Sequence, residues 1–178
     1  ESDEGEDGGD GFEYPTLLRN DGAYHEIVEG IQLGSAVDPE TDGQPTDSAD
    51  GDDSDGDGDD EDGVTFATPL AACEDATVEI TGEGEGSLDL WIDFDQDGEW
   101  EDGEDGSDEH VIDDESLELS LEDDPTALTI EVPCDAATGG TYARARFSSE
   151  GDHDPEGSAE DGEVEDYHVT IEELDFGD

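Results

Sequence analysis

Asp93, Asp95 and Asp97 occupy alternate positions in the stretch DFDQDGEWEDGE, with Gly98 directly after them and Glu104 closing the run. The spacing D-x-D-x-D-G-x5-E is that of a loop wrapped around a hard divalent cation. In such a loop carboxylates and one backbone carbonyl, here that of Glu99, replace the ion's hydration shell. Calcium suits an all-oxygen set of this kind. Shuffling a chain with 61 acidic residues would write the pattern in roughly 2% of cases, a figure that local clustering of the acids raises several-fold.

Two further groups of carboxylates offer similar chemistry. Asp50, Asp52, Asp53, Asp55, Asp57, Asp59, Asp60, Glu61 and Asp62 contain D-x-D-x-D in several registers. So many like charges in one segment repel unless neutralised. At least one cation is expected among them, the other reading being an acidic loop screened by salt. Nearer the C-terminal end, DGEVEDY sets Asp161, Glu163 and Glu165 in alternation, with Asp166 on the opposite face. These acids read as a third metal site, as ligands completing the acidic loop's site, or as partners of an arginine. The chain holds three basic residues, and two of them, Arg144 and Arg146, share one face of TYARARF. Pairing one of these with the acids, where a carboxylate must be partly buried, is the favoured expectation.

The remaining residues point to no reaction. His25, His110, His153 and His168 are scattered without metal-ligand spacing such as HExxH, and no nucleophile elbow, P-loop or dinucleotide fingerprint is present. Carboxylate pairs abound, but nothing singles out a glycosidase pair. Trp91 and Trp100 bracket the Asp93 loop; packing over it is expected, with a carbohydrate-stacking platform as the other reading.

A length of 178 residues suits one domain with a core of modest size. A formal charge of −58 with 29% hydrophobic residues would ordinarily mean disorder, because little apolar burial is available to offset chain entropy. In molar salt, however, repulsion is screened within about 3 Å, and an acid-coated, lysine-free surface stays soluble while its strands fold. The acids here are spread along strands and loops, so a protein of an extreme halophile is expected. The same charge argues against nucleic acid and anionic membranes as partners. No stretch approaches the ~20 apolar residues of a membrane span, and no signal or lipidation motif is seen. A mature secreted protein, a piece of one, or a cytosolic protein all fit. Cys73 and Cys134 leave this open: paired, they favour an oxidising exterior, and otherwise they are two buried thiols.

Residues 1–11 read as a solvated acidic tail, and 12–37 as an irregular or strand-like region with scattered apolar anchors. Residues 38–63, low-complexity acid and glycine, read as a linker. From Val64 the pattern becomes short period-2 runs: VTF, ATVEIT, SLDLWIDFD after a GEGEG turn, HVI, LELSL, TALTIEV, TYARARFSS and EDYHVTIEEL. About eight such strands predict an all-β fold, an antiparallel β-sandwich of jelly-roll or immunoglobulin-like kind with long acidic calcium-binding loops. Alternation puts Asp93 and Asp95 on one face, so the cation loop hangs from a strand end, and Gly98 turns Asp97 back toward them.

Three passages carry a resemblance: DGQPTDSADGDDSDGDGDDEDGVTF, LDLWIDFDQDGEWEDGED and TYARARFSSEGDHDPEGSAEDGEVEDYHVTI. In that order and spacing the chain, from about Leu17, resembles the GEVED domain family of secreted and cell-surface proteins, in a halophilic, for instance haloarchaeal, form. The resemblance implies a single β-rich module over residues 12–173 that includes the acidic stretch 38–63, with no catalytic activity to carry over. It implies an extracellular location, and with it a Cys73–Cys134 bridge. The terminal DFGD, within residues 174–178, resembles the opening of a following repeat, so the chain reads as cut from a tandem array or as pairing head to tail with a neighbour. The expectation is a non-enzymatic, calcium-stabilised structural or adhesive module. Its partners would be copies or repeats of itself, and cell-surface polysaccharide. A carbohydrate- or ligand-binding module of a surface hydrolase is the rival reading.

Overall fold

The computed structural model describes residues 23–35, 61–100, 109–151 and 153–173. The tail 1–11, the segment 174–178 and most of 38–63 lie outside these residues. The described residues hold no helix and eleven strands: β1 (Tyr24–His25), β2 (Gln32–Leu33), β3 (Val64–Phe66), β4 (Leu70–Ala71), β5 (Asp75–Ile80), β6 (Gly82–Ile92), β7 (His110–Leu119), β8 (Thr126–Glu131), β9 (Gly139–Ser148), β10 (Ser158–Ala159) and β11 (Glu163–Glu172).

Side-chain alternation decides how they stack. In β5 Ala76, Val78 and Ile80 are buried between more exposed Asp75, Thr77 and Glu79. In β6 Leu88, Leu90 and Ile92 take the same role. β5 is the centre of a three-stranded sheet, β3-β5-β8, and β6 lies in a six-stranded sheet, β2-β6-β9-β11-β4, with β7 on β6 as well. The apolar faces of both sheets meet in one core that joins Val64, Val78, Ile80 and Ile130 to Leu88, Leu90, Ile92, Phe147, Val169 and Ile171. The chain is therefore all-β, with two layers over one core as in a β-sandwich. Each buried Val, Leu, Ile or Phe contributes about 1.5–3 kcal/mol relative to exposure.

The long pairings are antiparallel, but two short ones are parallel: Tyr24↔Ser158 with His25↔Ala159, and Ile171↔Leu70 with Glu172↔Ala71. GEGEG is not a turn. Its Gly-Glu alternation also has period 2, and it forms the first half of β6, where a Cβ on Gly84 (φ +115°) would collide with the Gly30 carbonyl oxygen. HVI and LELSL are one strand, β7, whose register against β6 shifts on both sides of Leu90.

The face of the six-stranded sheet away from the core is not left to water. Asp89, Trp91, Asp93 and Arg146 are each 0% exposed and Arg144 2%. The segment after β9 folds over them. Arg146 Nη1 donates to the Asp154 and Glu156 carbonyls (2.7 Å each), and Arg144 Nη1 donates to that of Pro155 (2.9 Å). Arginine's fixed fork of donors suits a layer that offers backbone oxygens at several angles.

Cys73 and Cys134 form a disulfide with Cα atoms 4.1 Å apart across a separation of 61 residues. It ties the turn after β4 to the chain just beyond β8, and so fastens one sheet to the other. Loop closure on this scale contributes about 4 kcal/mol.

Candidate cation site

β6 ends at Ile92, and the next eight residues coil rather than continue the strand. Each aspartate captures backbone N–H groups a few residues on, as Asp does in turns. Asp93 accepts from Gln96 N (2.6 Å) and Gly98 N (3.1 Å), Asp95 from Asp97 N (3.1 Å), and Asp97 from Glu99 N (2.9 Å). The coil needs left-handed backbone at Gln96 (φ 63°) and Gly98 (φ 87°), which glycine supplies without steric cost.

The result is convergence. One carboxylate oxygen from each of Asp93, Asp95 and Asp97 lies within 4.8 Å of the other two. Asp93 is fully buried, whereas Asp95, Asp97 and Glu99 are exposed. A carboxylate oxygen has two lone pairs, so accepting one N–H leaves it able to coordinate. All the donors are oxygens, and three carboxylates this close repel unless a cation shares their charge. The set fits Ca²⁺, which takes oxygen ligands in flexible geometry. Glu104 lies outside the described residues.

The loop is anchored into the sandwich. Phe94, between Asp93 and Asp95, belongs to the core. Asp93 N donates to the Tyr142 carbonyl (3.1 Å), Thr141 Oγ1 donates to the Asp93 carbonyl (2.7 Å), and Ala137 N donates to that of Phe94 (2.7 Å). Glu109, 1% exposed, accepts from Phe94 N at 2.8 Å. Sequence reading missed Glu109, one acid among many. Its signal is its place directly before HVI, where antiparallel pairing returns the chain to the end of β6.

The GEVED acids go elsewhere. Glu163 and Glu165 stand opposite Phe147 and Ala145 on β9 and point into the sandwich. Glu163 Oε2 accepts from Leu33 N (2.8 Å), and Glu165 Oε1 accepts from Gly63 N (3.1 Å). Glu165 Oε2 bonds the Tyr167 hydroxyl (2.6 Å), whose oxygen accepts from Val64 N (2.8 Å). These partners flank the acidic stretch on both sides. Outside the core Ser35 N and Oγ donate to the two oxygens of Asp62, at 2.8 and 2.5 Å. Residues 33–35 and 62–64 are thus pinned side by side. Of the acids Asp50 to Asp62, only Glu61 and Asp62 fall among the described residues; Asp50, Asp52, Asp53, Asp55, Asp57, Asp59 and Asp60 lie outside them.

Asp166, on the opposite face of β11, takes a bidentate pair from Arg144, Nε–Oδ1 2.7 Å and Nη2–Oδ2 2.6 Å. The guanidinium also lies 4.3 Å from the Trp100 ring centroid, a favourable cation–π distance. Gly162 (φ +97°) turns the chain into β11 where a Cβ would strike the Phe147 carbonyl. Four of the five residues of the pentapeptide therefore have a position: glycine at the turn, two glutamates inward, aspartate outward on an arginine.

Residues 87–170 match the family model of the GEVED domain. Over these residues the chain is similar to the GEVED domain family. The match takes in the Asp93 loop, both arginines and the pentapeptide. It leaves outside it the stretch from about Leu17 to Gly86, which the resemblance also covered. No curated protein and no solved structure matches the chain.

Burial, opposed by the bonds from Tyr167 and Gly63, pushes Glu165 up to about 8. His25 is held neutral. Its Nε2 accepts from Arg146 Nε (3.0 Å), so Nδ1 carries the proton donated to the Asp161 carbonyl (2.6 Å). Burial, then the Arg146 charge, lowers it to about 3. Trp91 is fully buried and stacks on His110, with centroids 4.4 Å apart.

Proposed function

We propose that this chain is a non-enzymatic, calcium-stabilised structural or adhesive module of a halophile's cell surface. In this reading it works in a tandem array or as a self-assembling filament subunit, with copies or repeats of itself as partners. Its sandwich, of jelly-roll or immunoglobulin-like kind, holds Ca²⁺ in acidic loops. The observation that carries the reading is the Asp93–Asp95–Asp97 convergence at the end of β6, with Phe94 in the core between the ligands. An ion there would offset most of the charge of the three carboxylates and fix the end of a central strand, so binding energy becomes folding energy.

The disulfide supports an extracellular setting, and the charge of −58 without lysine supports a high-salt one. The rival, a carbohydrate-binding module of a surface hydrolase, lacks a platform at Trp91, which presents no face to a sugar ring. Calcium titration calorimetry in molar NaCl on the wild type and on Asp95→Asn tests the proposal, alongside turnover assays with polysaccharide and peptide substrates. Saturable binding weakened at least about tenfold in the variant, without turnover, is expected. Equal binding in both proteins, or turnover, overturns it.

A further inference from the structure

The sheet face away from the core gathers a second set of metal-ligand side chains, separate from the Asp93 loop and different in chemistry. We propose that Asp89, His110 and Asp113 form a site for a divalent transition ion, with Zn²⁺ the best fit. One ligand atom from each lies within 4.8 Å of the others. His110 Nε2 stands 3.0 Å from Asp89 Oδ1, which also accepts from Asp114 N at 2.9 Å.

The second oxygen points to a ligand. Asp89 is 0% exposed, and its Oδ2 is buried with no hydrogen-bond partner. An orphaned carboxylate oxygen away from water is costly, and native structures rarely leave one without a role.

Strand geometry shows how the set is assembled. Residues three apart on a regular strand face opposite ways. The register shifts on either side of Leu90, with Asp114 at φ 48°, bring both His110 and Asp113 beside Asp89, as bulges re-aim side chains. Asp113 is exposed, which leaves a path for the ion and room for water to complete four-coordination. An imidazole nitrogen with carboxylates selects zinc-like ions over calcium. Because aspartate only accepts, His110 Nε2 carries the proton of the Asp89 bond. On metal binding that proton leaves to solvent and the nitrogen lone pair goes to the ion.

The test uses the full chain in molar NaCl with millimolar Ca²⁺ to fill oxygen-only sites. Zn²⁺ is titrated by calorimetry, while the ring ¹⁵N signals of the four histidines are followed by NMR. The proposal expects one Zn²⁺ per chain and a shift of the His110 Nε2 signal. It expects affinity to fall at least about tenfold in His110→Gln, whose amide keeps the bond to Asp89, and in the exposed Asp113→Asn. Unchanged affinity in Asp113→Asn, or zinc uptake without a His110 shift, overturns it. Loss in Asp113→Asn together with the ring shift supports it even where His110→Gln fails to fold.

Discussion

Glu165 and Tyr167, two residues apart on one face of β11, share a 2.6 Å hydrogen bond inside the sandwich, and each also accepts a backbone N–H from the Gly63–Val64 pair. A glutamate at such a place is a buried acid with neutral partners. Burial raises its folded pKa from 4.5 to about 8. Below pH 4.5 both folded and unfolded states hold the proton. Between about 4.5 and 8 the unfolded chain releases it and the fold does not, so stability falls as pH rises through that window and levels off above it. Glu165→Gln, a neutral mimic, is expected to match the wild type near pH 4.5 and to exceed it by on the order of 4 kcal/mol at pH 8. Urea unfolding in molar NaCl at both pH values measures this; equal slopes against pH in the two proteins would remove Glu165 as the source.

Asp166 gives the opposite kind of dependence, on a partner rather than on pH. Replacing it with alanine removes the carboxylate partner of the Arg144 guanidinium, 2% exposed, and is expected to cost about 3 kcal/mol. Arg144→Lys keeps the charge but loses the fork and the flat contact with Trp100, so chemical denaturation should rank it between wild type and Asp166→Ala.

The disulfide makes a separate contribution. Cys73→Ser with Cys134→Ser, or reduction of the wild type, is expected to lower stability by about 4 kcal/mol. Denaturation curves with and without reductant would show it, and the double variant should no longer respond to reductant.

Much of the sandwich was legible because β5, β8, β9 and β11 alternate at period 2, and the same count set Asp93 apart from Leu90 and Ile92. The direction of Glu163 and Glu165 was legible too. Counting back by twos from Ile171 and Val169 passes Tyr167 and lands on both glutamates, which places them on the inner face. Their acidity, in a chain with 61 acids, argued for metal or an arginine partner instead. Glu109, the covered outer face and the Asp89–His110–Asp113 group were not legible. They depend on register shifts and on a segment folding over a sheet, and no local pattern encodes either.

The central claim is that a calcium ion is part of the fold, and thermal melting of the wild type and Asp97→Ala in molar NaCl, with calcium and then with excess chelator, tests it most directly. At calcium about 100-fold above Kd, linkage contributes about 2.7 kcal/mol. Chelation is therefore expected to lower the wild-type Tm by about 5–10 °C, and Asp97→Ala to start lower and respond little. A wild-type Tm that ignores the chelator would contradict the account.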